Sequence, residues 1–176
     1  MRALVVYESM FGSTRALAEA IAGVLDRNGV PATLAAAAAA PSSTADYDLV
    51  VVGAPTHAHA LPQAASRTEA AAWATDPSKA LTLDASAHGI GVREWLKCLE
   101  IAEPAPRVAA FSTRVDIARI LAGDAAVSIA KRFRSRGIRH IEQECFLVSA
   151  SSKLLEGELL RAEEWAEKLP ALVVAV

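Results

Sequence analysis

Cysteine is scarce in this chain: Cys98 and Cys145 are the whole complement among 176 residues. They form no CxxC pair and no ligand spacing, so neither a disulfide framework nor a zinc site is expected. Both read as buried small hydrophobes. Excess charge is lacking too. The formal net charge is −2, which removes the electrostatic case for nucleic acid, because a phosphate-backbone binder needs a basic face. No apolar run reaches the ~18–20 residues that cross a bilayer. The opening stretch turns polar at Glu8, too early for a signal peptide. Together these absences predict a soluble protein of the reducing cytoplasm, without membrane insertion; a monomer or weak dimer is the expected state, which the sequence itself does not settle.

Apolar residues are plentiful at 53%, against 22% charged, enough for one packed domain spanning residues 1–176. Much of that share is alanine, which favours helix more than it fills a core. Short apolar runs alternate with helical patterns, the mark of βαβ units and a parallel sheet. Ala3 to Tyr7 is nearly continuous in apolar residues, as a strand buried on both faces should be. Leu17, Ala18, Ile21, Ala22 and Leu25 follow at helical spacing, and Asn28-Gly29 ends that helix. Pro31 to Leu34 reads as a weaker second strand. The alanine run Ala35 to Ala40 reads as compositional drift, ambiguous between strand end and loop.

Asp48 to Val52, Arg107 to Phe111 and Cys145 to Val148 complete five strands. Further helices are expected over Arg93 to Leu99, over Ile117 to Arg136 with Ile117, Ile120, Leu121, Ile129, Ala130 and Phe133 inward, and around Ala162, Trp165, Ala166 and Leu169. Residues 66 to 91 are the least regular stretch.

Open parallel sheets bind ligands beyond the carboxyl ends of their strands. The first such loop is Glu8-Ser9-Met10-Phe11-Gly12-Ser13-Thr14, running straight into a helix. Three hydroxyls, a glycine that lets backbone N–H groups converge, and a helix N-terminus together suit a phosphate dianion. Helix capping explains one hydroxyl, not all of them. The run YESMFGST resembles the phosphate loop of the flavodoxin family, Ser/Thr-x-Thr-Gly-x-Thr. Ser9, Gly12 and Thr14 match directly, and Phe11 stands where a threonine is usual, leaving Ser13 to replace its hydroxyl.

The resemblance implies a flavodoxin-like α/β fold: a five-stranded parallel sheet of order 2-1-3-4-5 with helices on both faces. It also implies an FMN cofactor and an electron-transfer or simple flavin-dependent oxidoreductase role, with a redox partner protein or a small-molecule electron donor or acceptor. By the same resemblance Gly53-Ala54-Pro55-Thr56-His57-Ala58 borders the flavin ring, and so does Ser112-Thr113-Arg114 after the next strand. His57 or His59 is a candidate for ring contact, the alternatives being a solvent-facing pair or a chance HxH. Phe111 belongs to the core, and no aromatic near Ser112 is offered to cover the outer flavin face. Arg114 is either an ordinary loop arginine or a cation near the charge that reduction adds.

The net charge departs from the strongly acidic flavodoxins. Gly89-Ile90-Gly91 lacks the third glycine of a dinucleotide fingerprint. Lys131, Arg132, Arg134, Arg136 and Arg139 cluster at a helix C-terminus, where the dipole favours cations. A receiver domain shares the strand order, but Gly53-Ala54-Pro55 supplies no phospho-accepting aspartate. The remaining alternative is a flavodoxin-like domain that has lost its cofactor and serves as an interaction module.

Overall fold

The computed structural model describes residues 1–118 and 122–174. Five strands, β1 (Ala3–Tyr7), β2 (Ala32–Ala36), β3 (Leu49–Pro55), β4 (Arg107–Val115) and β5 (Ile141–Val148), form one parallel sheet of order β2-β1-β3-β4-β5. The helices are α1 (Ser13–Arg27), α2 (Ala64–Ala74), α3 (Val92–Cys98), α4 (Ala125–Arg134), α5 (Glu158–Ala166) and α6 (Ala171–Val174).

Alternation along the strands divides the core in two. Ala3, Val5 and Tyr7 face α1 and α5, where Leu17, Ile21 and Leu25 meet Phe111, Phe146 and Trp165. Leu4 and Val6 face α3 and α4 on the other side, with Trp95, Leu96, Ile129 and Phe133. The three rings Phe111, Phe146 and Trp165 pack edge to face, with centroids 6.2 to 6.4 Å apart. Gly53 lies directly under the Phe111 ring, and a Cβ there would collide with it.

Several expectations are corrected. Ala35 and Ala36 are strand residues, paired with Val6 and Tyr7; alanine has little strand preference, but register with β1 decides. β4 continues four residues past Phe111 to Val115, paired with β3 as far as Thr113 and with β5 to its end. Ser112-Thr113-Arg114 is therefore strand, not loop. The helix expected from Ile117 begins at Ala125, where Asp124 Oδ1 accepts from Ala126 N at 2.9 Å; Ile120 and Leu121 lie outside the described residues. Residues 66–74, at the start of the stretch read as irregular, belong to a helix that begins at Ala64. Cys98 is exposed and Cys145 half-buried, so neither is a fully buried hydrophobe.

The α2 helix has no apolar stripe, and polar ties hold it instead. Arg67 Nη1 donates to Glu8 Oε1 at 3.0 Å, and its Nη2 lies 3.1 Å from Glu94 Oε2. Glu8 Oε2 also accepts from Val92 N at 2.9 Å, so one buried carboxylate fastens α2 and the start of α3 to the end of β1.

Candidate functional site

A cavity of about 430 Å³ opens at the carboxyl ends of β1, β3 and β4. That size is within the range of small-molecule sites. The loop after β1 forms one wall with Ser9, Met10, Phe11, Ser13 and Thr14. Gly12, at φ +93°, is the N-cap of α1 and offers no side-chain cap. Only glycine adopts that conformation freely. The first-turn amides of Ser13, Thr14 and Arg15 have no acceptor within the helix, which leaves an open anion-binding end. Gly12 itself borders a neighbouring cavity of about 320 Å³.

The hydroxyls are used unequally. Ser9 Oγ accepts from Gly12 N at 3.1 Å, shaping the turn and keeping its own proton available. Thr14 and Thr113 share a hydrogen bond between hydroxyls at 3.0 Å. Ser13 Oγ donates to the Ser152 carbonyl at 2.5 Å, so its hydroxyl is engaged and its backbone N–H is the group left to face an anion.

The loop after β3 forms the next wall with Pro55, Thr56, His57 and Ala58. Thr56 N donates to Thr113 O at 2.7 Å, and Thr56 Oγ1 accepts from Ala125 N at 3.1 Å. His57 and Ala60 exchange backbone hydrogen bonds around a tight turn, with Ala58 at φ 45° and His59 at φ 68°. Two consecutive left-handed non-glycine residues store strain of roughly 1–2 kcal/mol each. His57 Nε2 lies 3.2 Å from Glu69 Oε2, and its ring tilts against Trp73 with centroids 6.2 Å apart. His59 lines the cavity and bridges to Gly123 through its backbone.

Trp73 is the aromatic that local reading of the sequence missed. It reaches the cavity wall from α2, a helix without a periodic apolar signal. The nearest sequence clue is the run Glu69 to Trp73 itself, which a propensity count over residues 64–74 would have raised.

On β4, Thr113 and Arg114 line the cavity, but Ser112 does not. Expected at the cofactor, Ser112 is fully buried on the α4 side and donates to Asp124 Oδ1 at 2.7 Å. Alternation along an extended strand turns it away from Thr113. Arg114 Nη1 donates to the carbonyls of Val115 at 3.2 Å and Ile117 at 2.6 Å, while its Nε–H is buried without an acceptor. A buried donor left unpaired is costly and fits a wall that a ligand completes. Beside it, burial pushes the Cys145 thiol up, only partly offset by the Ser112 hydroxyl. Glu8 lies outside this cavity. Burial raises its carboxyl above the ordinary range, although Val92 N–H and Arg67 pull it back.

Among the described residues, no group of three His, Cys, Asp or Glu side chains gathers as a metal site, and no helix is long and apolar enough to cross a membrane.

The chain's residues 4–68, from β1 into α2, match the family model of the flavodoxin domain. No curated protein matches the chain. Among solved structures, it is similar to a flavodoxin from the domain Archaea, at 16% identity and TM-score 0.62, over 99% of both chains. It is similar to oxidised flavodoxin 1 from Bacillus cereus, at 14% identity and TM-score 0.62, over 99% of this chain and 98% of that one. It also resembles rubredoxin oxygen:oxidoreductase from Desulfovibrio gigas, at 14% identity and TM-score 0.63, over 99% of this chain and 36% of that chain.

Proposed function

We propose that this chain, flavodoxin-like in fold and matching the flavodoxin domain model over residues 4–68, binds FMN and serves as a redox protein, either an electron carrier or a simple oxidoreductase. The observation that carries this reading is one cavity joining the uncapped start of α1 to the ends of β3 and β4. A ligand with a phosphate at one end and a flat polar ring system at the other would use both parts.

The residues present fit that group. The amides of Ser13, Thr14 and Arg15, with the hydroxyls of Ser9 and Thr14, would hold the phosphate. The backbone from Pro55 to Ala58 and the side chains of Thr113 and Arg114 would border the ring. Trp73 and His57 would shield it from water. FMN, when bound, supplies reversible transfer of one or two electrons; the protein supplies grip, orientation and electrostatic surroundings. The Arg114 guanidinium would favour the negative charge gained on reduction. A redox partner protein or a small-molecule donor or acceptor would approach the same rim.

The engaged Ser13 hydroxyl and Phe11 favour a second reading, an interaction module without cofactor. A visible spectrum of the protein after incubation with FMN and gel filtration separates the two. Retained absorbance in the flavin band supports the first; a colourless protein that fails to quench FMN fluorescence refutes it. Charge-assisted hydrogen bonds contribute roughly 1.5–3 kcal/mol each. Thr14→Ala, which removes one hydroxyl from the proposed phosphate grip, should therefore weaken FMN by about one to two orders of magnitude while leaving riboflavin nearly unchanged. Equal losses for both ligands would place the phosphate elsewhere.

A further inference from the structure

At the opposite edge of the sheet, where β4 and β5 begin, lies a second cavity of about 600 Å³. Nine residues of β4 separate the two edges, roughly 25–30 Å of extended chain. Its floor is apolar, built from Leu99, Ile101, Pro106 and Ile138, and its walls carry Arg107, Arg136, Arg139 and His140. Arg107 is the first residue of β4, and the others lie in the connection from α4 to β5.

The fold holds these cations open. Arg136 is pinned to the wall by donating from Nη1 to Leu99 O at 2.7 Å and from Nη2 to Lys97 O at 3.4 Å. Its acceptors are carbonyls, so its charge is not neutralised. Among the described residues, none of Arg107, Arg136 and Arg139 forms an ion pair. Glu103 is the one acid among the residues lining this cavity. Glu142 sits in the wall of a smaller neighbouring cavity that shares Arg107, Arg139 and His140. Lys131, Arg132 and Arg134 in the last turn of α4 add to the positive field. A solvated helix end accounts for the α4 cluster, but not for a cation at the start of β4 turned into the same apolar-floored cavity.

We propose that this cavity is a binding site for an organic phosphate monoester, with its dianionic head among Arg107, Arg136 and Arg139 and its apolar body on Leu99, Ile101, Pro106 and Ile138. Three guanidiniums against one carboxylate match a dianion better than a monoanion, and the floor selects a ligand with an apolar body over free phosphate. The site is independent of the FMN reading, because no residue is shared between the two cavities.

The test is a titration of the ¹⁵N-labelled full chain with phenyl phosphate. The amide signals of Gly137 to His140 are followed alongside those of Gly12 to Arg15. Saturable shifts are expected at Gly137 to His140, with affinity about tenfold or more above that for inorganic phosphate. Arg139→Gln and Arg107→Gln should each weaken binding about tenfold, the loss of one charge-assisted contact. Raising salt from about 0.05 to about 0.5 M should weaken it further. Among the described residues neither side chain makes a hydrogen bond, so both variants should keep the native spectrum. Shifts confined to Gly12 to Arg15, equal affinity for inorganic phosphate, or unchanged affinity in both variants would each overturn the proposal.

Discussion

Replacing Arg67 with methionine withdraws the guanidinium that pairs with a nearly inaccessible carboxylate. The Glu8 side chain is 4% exposed and that of Arg67 12%. With the cation gone, Glu8 keeps only the Val92 N–H, and burial, already the largest influence on its carboxyl, acts unopposed by charge. The carboxyl escapes by taking a proton, and this sets a ceiling on the cost. From an ordinary glutamate value of about 4.3, protonation at pH 7 costs about 3.7 kcal/mol, and at pH 5 about 1 kcal/mol. This ceiling agrees with the 3–5 kcal/mol typical of breaking a buried pair.

The sign follows from proton linkage. Glu8 is raised in the folded state, so the native protein binds more protons than the unfolded chain between the ordinary and the raised value. Stability therefore falls as pH rises through that window and levels off above it. Arg67→Met extends the window upward. Urea unfolding should show a loss approaching 3–4 kcal/mol at pH 7 that shrinks to about 1 kcal/mol at pH 5. Glu8→Gln added to Arg67→Met should abolish the pH dependence. An equal loss at both pH values, or no relief from Glu8→Gln, would mean that the carboxylate is not held by this cation. The consequence reaches the site, since Arg67 fastens the helix that carries Glu69 and Trp73.

Truncating Leu17, Ile21 or Leu25 to alanine should each cost roughly 2–5 kcal/mol in denaturant titrations without altering cofactor preference; near-zero losses for all three would contradict the packing of α1. Asp124→Ala removes both the cap of α4 and the acceptor for the buried Ser112 hydroxyl. It should cost about 2–3 kcal/mol, most of it recovered by Asp124→Asn; calorimetry checks this, and a loss under about 0.5 kcal/mol would refute the cap. With FMN bound, Arg114→Gln should lower the two-electron midpoint potential, because a guanidinium beside the ring favours added negative charge. Identical potentials in a reductive titration would place that charge away from the ring.

The strands and α1 were legible in the sequence because they rest on local, repetitive signals, while the strand order followed from the flavodoxin resemblance. Continuous apolar runs such as Ala3 to Tyr7 identify doubly buried strands, and Leu17, Ile21 and Leu25 mark α1 by their period alone. Ser9, Gly12 and Thr14 stand within one turn of chain, so their convergence needs no distant partner. What depended on pairing across the sheet was not legible. Ala35 and Ala36 are strand residues through register with β1, and Ser112 was expected at the cofactor because β4 was ended four residues early.

Placement by charge was equally hidden. α2 carries no apolar stripe, and a buried contact between residues 8 and 67 fixes it, bringing Trp73 to a cavity where the sequence near Ser112 offers no aromatic. The basic residues near the end of α4 were visible as a cluster. Only the fold turned Arg107, more than twenty residues upstream of them, into the same cavity. Local sequence determines which elements form. Contacts between residues far apart in the chain decide which side chains meet, because their free energy arises only when the whole sheet is assembled.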